Sequence, residues 1–144
     1  MTISADGVLK LFPIVQSIVE NAPKIEGWNF IAFRQRVKPE KVKDMILKKD
    51  NQKFVPNEMK FSPLISGDTI DIIIYVKGVT EENYAEISYS EFILLDNLLG
   101  EYDCVKKVRH WDFHEMPTKR EDIAELIPLL EIAKYVDEFH SKKK

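Results

Sequence analysis

The segment Asp68-Thr-Ile-Asp-Ile-Ile-Ile-Tyr-Val-Lys-Gly78, preceded by Gly67, is a β-branched run with glycine at both ends. β-Branched side chains fit a pleated surface and glycine marks where the chain turns away, so the run reads as a central strand. The period then changes. Tyr84, Ala85, Ser88, Phe92, Leu95, Leu98 and Leu99 step by three and four, one face of a helix that Gly100 stops. Thr80, with Glu81 and Glu82 behind it, supplies a start signal for that helix. Because Phe92-Ile-Leu-Leu95 is apolar all round, the helix is expected to be covered on more than one side.

Upstream, Val8, Leu11, Phe12, Val15, Ile18, Val19 and Ala22 make a first helical stripe. Pro13 inside it either kinks the helix or separates a turn from the true helix start. Residues 27–36, aromatic-rich and bracketed by Gly27 and Pro39, read as an inner strand with Trp28 and Phe30 in the core. For residues 40–65 the residue types suggest a hairpin turning at Asp50-Asn51, or a helix over Glu40–Lys49. Pro56 and Pro63 make the stretch after it a loop or an edge strand.

Asp103–Glu115 alternates as a half-exposed strand would. Thr118-Lys-Arg-Glu121 has the capping-box pattern ahead of a last helix carrying Leu129, Ile132, Ala133, Val136 and Phe139. The sum is a single α+β domain over residues 1–144, mainly an antiparallel sheet of about four to six strands packed by three helices. The tail Ser141-Lys-Lys-Lys144 is expected to be a solvated end.

Composition narrows function by exclusion. A net charge of −3 gives no general attraction to phosphate backbones or anionic membranes, so neither nucleic acid nor membrane is expected as a partner. The single cysteine, Cys104, forms no intramolecular disulfide and reads as a structural thiol, which with the absence of a leader pattern suggests a cytoplasmic setting. Phosphate-loop, dinucleotide and nucleophile-elbow motifs are missing, and no cofactor is expected.

Three groups carry chemistry-bearing residue types. His110, Asp112 and His114 share one face of a strand, where a divalent ion or acid/base work is conceivable, but two histidines and one carboxylate leave too few convergent ligands. Asp96, Glu101 and Asp103 flank Gly100 and read as solvated turn residues. Arg34 and Arg36 put two cations on one face, suited to an internal ion pair or a carboxylate contact. Apolar alternation ends around Arg34, Arg36, Asp103 and His110 while the helices are committed to the core, so the binding surface is expected at these polar ends instead of in a deep apolar pocket.

Ser4-Ala-Asp-Gly7 leading into Phe12-Pro13, the stretch from Ala22 to Arg36, and Phe92-Ile-Leu-Leu-Asp-Asn-Leu-Leu-Gly-Glu-Tyr-Asp103 together resemble a family of small bacterial proteins of unknown function. The resemblance covers essentially the whole chain and implies no particular activity. Longer members open with an aromatic-rich helix and a strand, so it also implies a shorter N-terminal region here.

The sequence thus predicts a non-catalytic domain that binds a protein partner or a small ligand. The alternative is a small metal-dependent or acid/base enzyme using the His110, Asp112 and His114 face. Strand and helix can bury Ile72, Ile74, Phe92, Leu95 and Leu98 only against each other, so Leu95→Ala is expected to cost about 2–5 kcal/mol in chemical denaturation. A loss under about 1 kcal/mol would mark a surface position instead.

Overall fold

In the computed structural model the central run is β6 (Thr69–Val76), whose alternate residues Ile70, Ile72, Ile74 and Val76 are buried on one face. The structure describes residues 1–43 and 55–142, and the backbone alone of 47–49 and 52–54. β5 (Lys60–Ser66) pairs antiparallel with β6, placing Phe61 opposite Ile74. On the other side β7 (His110–Glu115) runs parallel, with Trp111 opposite Ile72 and Phe113 opposite Ile74. β8 (Ile127–Pro128) closes the order β7-β6-β5-β8.

α3 (Tyr84–Leu99) and α4 (Glu101–Lys106) carry the chain from the end of β6 back to its beginning, which is why β7 pairs parallel. Ile87, Leu94, Leu95, Leu98 and Leu99 of α3 join the buried face of β6, and Leu129, Ile132 and Val136 around α6 (Ile132–Ser141) complete that core. Helices on one face of a mixed sheet make this the α+β domain that the sequence predicts. Phe92 is the exception within the expected core. It lies on α3's flank, 39% exposed.

Residues 27–36 do not form an inner strand. Only β2 (Ile31–Ala32) is paired, parallel to β1 (Thr2–Ile3) in a separate two-stranded sheet, and Trp28 is exposed. Phe33 adopts φ 67°, which ends the extended run, and the following amides bond sideways: Arg34 N–H to the Glu101 carboxylate at 3.1 Å and Val37 N–H to the Asn97 carbonyl at 2.6 Å. The segment is a strap across the ends of α3 and α4. Alternation likewise misreads residues 103–107. Gly100, at φ 90°, lets the chain restart as a helix, and the Cys104 N–H bonds back to its carbonyl at 3.0 Å.

Pro13 falls in the first turn of α1 (Phe12–Glu20), after a 3-10 turn at Leu9–Leu11, the second of the two options above. Of the predicted stripe only Phe12 and Val15 are buried, against Ala5 and Phe33 in a small core of their own. A short helix, α2 (Pro39–Val42), precedes the expected hairpin, in which β3 (Leu47–Lys49) pairs antiparallel with β4 (Gln52–Phe54). Its turn at Asp50-Asn51 lies outside the described residues, as do 44–46 and the last two lysines of the tail.

Pro63 sits within β5, beyond Lys60 and Phe61 where β8 pairs, so its missing N–H leaves no gap in the ladder on that side. Thr80 acts one turn earlier than expected. Its hydroxyl accepts the Asn83 N–H at 3.2 Å while its own N–H donates to the Asn83 side chain at 2.7 Å, shaping the turn before α3. The Thr118 capping box is not formed: α5 (Arg120–Ala124) begins at Lys119 without a side-chain cap.

α3 also buries a carboxyl. Glu91 is 1% exposed, and neither oxygen has a hydrogen-bond partner among the described residues. Burial pushes its pKa from the ordinary 4.5 up to about 8. Between those values the unfolded chain has released the proton and the folded one keeps it, so stability should fall as pH rises, by about 1.4 kcal/mol per unit from this group. Urea denaturation at pH 5 and pH 8 is expected to show that loss in the wild type and its removal in Glu91→Gln.

Candidate functional site

Glu101 opens α4 and is fully buried. One carboxylate oxygen accepts the Ser4 hydroxyl at 2.7 Å and the Arg34 N–H at 3.1 Å, the other the N–H groups of Ala5 at 2.9 Å and Gly7 at 3.2 Å. Burial opposes its charge, but these four donors outweigh that cost and hold the pKa below its ordinary value. The Ser4–Gly7 turn thus wraps a buried anion. Asp96 is buried as well, so two of the three carboxylates flanking Gly100 are interior groups, contrary to the turn reading.

Phe33 pays for the strap's geometry with a left-handed backbone, a strain on the order of 1–3 kcal/mol. It is held there by its N–H bond to the Ile3 carbonyl at 2.8 Å and by its ring, 4.5 Å from Phe12 and 5.5 Å from Tyr102. The kink turns Arg34 toward α3, where its guanidinium bonds Asp96 at 2.9 Å and the exposed Asp6 at 2.7 Å. Burial pushes the Asp96 carboxyl up despite Arg34, and the Asp96 hydrogen bond raises Arg34.

Above this ion pair lies a groove of about 370 Å³. Tyr89, Phe92 and Ile93 of α3 line it together with Val105, Val108, Arg109 and Trp111. Phe92 is fixed edge-on to Trp111 at 6.5 Å and to Phe113 at 5.4 Å between ring centroids. The Trp111 indole N–H is spent on the Cys104 carbonyl at 2.9 Å, leaving the ring to the groove. Arg109 is engaged too, with two nitrogens on Asp71 at 2.9 and 2.7 Å. Every cation lining the groove therefore already has an acidic partner.

Arg36 belongs to a neighbouring depression with Asp103 and Arg34. It bonds the Leu99 carbonyl at 2.6 Å, Asp137 at 2.8 Å and Asp103 at 2.7 Å, tying the strap to α3, α4 and α6. Both arginines thus serve as internal ion pairs. His110 stands exposed at the start of β7 opposite Asp71, and lines neither concavity. Asp112 and His114 do meet, at 2.9 Å, and the Tyr84 hydroxyl donates to the other Asp112 oxygen at 2.5 Å. Among the described residues no group of three or more His, Cys, Asp or Glu side chains is arranged to hold a metal ion.

Cys104 is buried with its thiol directed to the Leu95 carbonyl at 3.4 Å, and burial raises its pKa, so it is a structural group. Sequence reasoning reached Arg34 but missed Tyr89, Ile93, Val105, Val108 and Trp111. The available signal was the all-round apolarity of 92–95, which exceeds what one core face uses.

Compared with protein-family models, curated proteins and solved structures, the chain finds no match in any of the three. Among the described residues no helix is long and apolar enough to cross a membrane.

Glu101→Gln keeps the shape but presents an amide N–H₂ to backbone donors that need an acceptor. A loss of at least about 3 kcal/mol in denaturant titration is expected. Because the folded pKa lies below the unfolded 4.5, Glu101's contribution is complete above that pH and is lost as pH falls through the folded value, so the variant should lose this acid sensitivity.

Proposed function

We propose that this chain is a non-catalytic binding domain that takes an uncharged, largely aromatic or apolar small ligand in the groove between α3, α4 and the Ser4–Gly7 turn. The observation that carries the reading is the contrast between walls and charges. Tyr89, Phe92, Ile93, Val105 and Trp111 offer apolar and aromatic surface, while Arg34 and Arg109 are already matched by Asp96, Asp6 and Asp71. An ionic ligand would have to break an existing pair; a neutral one would not. The volume falls in the usual range for small-molecule sites, about 300–1,000 Å³.

A second reading, acid/base work on the β7 face, is favoured by the Tyr84–Asp112–His114 chain of contacts. Its titration runs against that use. The Asp112 hydrogen bond raises Tyr84 and the Tyr84 bond lowers Asp112, so both hold their present protonation states near neutrality.

Binding of N-phenyl-1-naphthylamine, an uncharged aromatic probe, separates the two. Saturable, blue-shifted probe fluorescence is expected, weakened roughly tenfold or more, about 1.4 kcal/mol, by Tyr89→Ala or Val105→Arg and unchanged by His114→Ala. Tyr89 is 67% exposed, so its loss should leave folding intact. Probe binding that ignores both groove variants would refute the reading.

A further inference from the structure

The lining of the groove between α3 and α4 includes one acceptor that the chain itself leaves unused. Tyr89, Phe92, Ile93 and Asp96 fall at i, i+3, i+4 and i+7 of α3, a single helical stripe that ends in a carboxylate. Among the described residues that carboxylate is bonded through Oδ2 alone, to Arg34 at 2.9 Å. The Cys104 thiol, close enough to act weakly on the carboxyl, is directed to the Leu95 carbonyl at 3.4 Å instead. Oδ1 is therefore left to the groove.

The other charged groups on the lining are committed or hydrated. Arg34 and Arg109 have their acidic partners, and the Asp6 side chain is 71% exposed, against 9% for Asp96. Arg34, a permanent cation, favours the ionised form of Asp96, so Oδ1 stands as an acceptor. While the groove is open, solvent satisfies such an oxygen. A purely apolar ligand would strip that solvent and leave the oxygen dry, a loss set against everything the apolar walls return. A ligand that carries a donor to that point escapes the loss.

We propose, resting on the reading of the groove as a small-molecule site, that it selects an aromatic alcohol whose ring lies against Phe92 and Trp111 and whose hydroxyl donates to Oδ1 of Asp96. Asp96 is then the residue that sets specificity. It lies one turn past Phe92, about 6 Å along the helix axis, a span that an aromatic ring bearing one hydroxyl covers. A hydroxyl suits the site better than an ammonium, which would give up its hydration to apolar walls for a single oxygen.

Competition for bound N-phenyl-1-naphthylamine at neutral pH compares 1-naphthol with 1-methoxynaphthalene, which keeps the rings and the acceptor oxygen but has no donor. Naphthol is expected to compete at least about tenfold more tightly in the wild type, although the ether is the more apolar. Arg34 offers only donors, so in Asp96→Asn the amide oxygen turns to Arg34 and the N–H₂ to the groove, and the preference should vanish while the ether binds as before. Equal binding of the two by the wild type, tighter binding of the ether, or a preference that survives in the folded variant overturns the proposal and leaves the groove reading in place. That reading fails, and the proposal with it, if the probe ignores Tyr89→Ala and Val105→Arg. Should Asp96→Asn fail to fold, carbon-13 NMR of the wild type decides. The Asp96 carboxyl resonance is expected to move with naphthol and to stay in place with the ether; a resonance that naphthol leaves unmoved overturns the proposal.

Discussion

One buried carboxylate holds the two parts of this molecule together. Without Glu101 the β1–β2 pair and α1 would keep a small core but lose their most densely bonded tie to the helices, and a two-stranded sheet is marginal by itself. With it, four donors from the Ser4–Gly7 turn and the strap converge on the first residue of α4. The turn's backbone amides and the Arg34 N–H are all turned toward that anion. A charge in the interior is tolerable only when its lone pairs are met, and here each oxygen has two donors. Arg36 adds a second tie on the same strap, reaching α4 and α6 through Asp103 and Asp137.

α3 is asked to do two things at once, and its composition shows it. Its inner face meets β6 with Ile87, Leu94, Leu95, Leu98 and Leu99, and its flank gives Tyr89, Phe92 and Ile93 to the groove. The inner face also keeps Glu91, a polar group that packing against β6 does not require. The two buried glutamates are opposites in electrostatic logic. Donors keep Glu101 ionised; apolar surroundings keep Glu91 protonated.

Legibility from sequence tracked the range of the forces involved. β6, α3, the stop at Gly100 and the last helix were readable because strand and helix periods are local signals. The strap was not, because Arg34 and Val37 take their hydrogen bonds from α4 and α3, residues distant in sequence, and the aromatic alternation of 27–36 hid that competition. Alternation at 103–107 misled for a related reason: a helical restart after Gly100 overrode it. Arg34 and Arg36 are legible as two cations on one face, a pattern that suits the internal ion pairs they form. The groove is not, since its walls come from two helices and a strand whose closeness is tertiary.

The separation between Ser4 and Glu101, 97 residues, has a consequence in time. At synthesis rates of about 5–20 residues per second, the turn and α1 leave the ribosome on the order of ten seconds before their anchor exists. Through that interval Phe12 and Val15 have neither Tyr102 nor Val105 to pack on. The turn and α1 are therefore secured only once α4 has been made, and until then the nascent chain carries an unsheltered apolar helix. Chaperones that bind exposed apolar segments would meet this chain at α1, and codon choice between Ser4 and Glu101 would set how long they hold it.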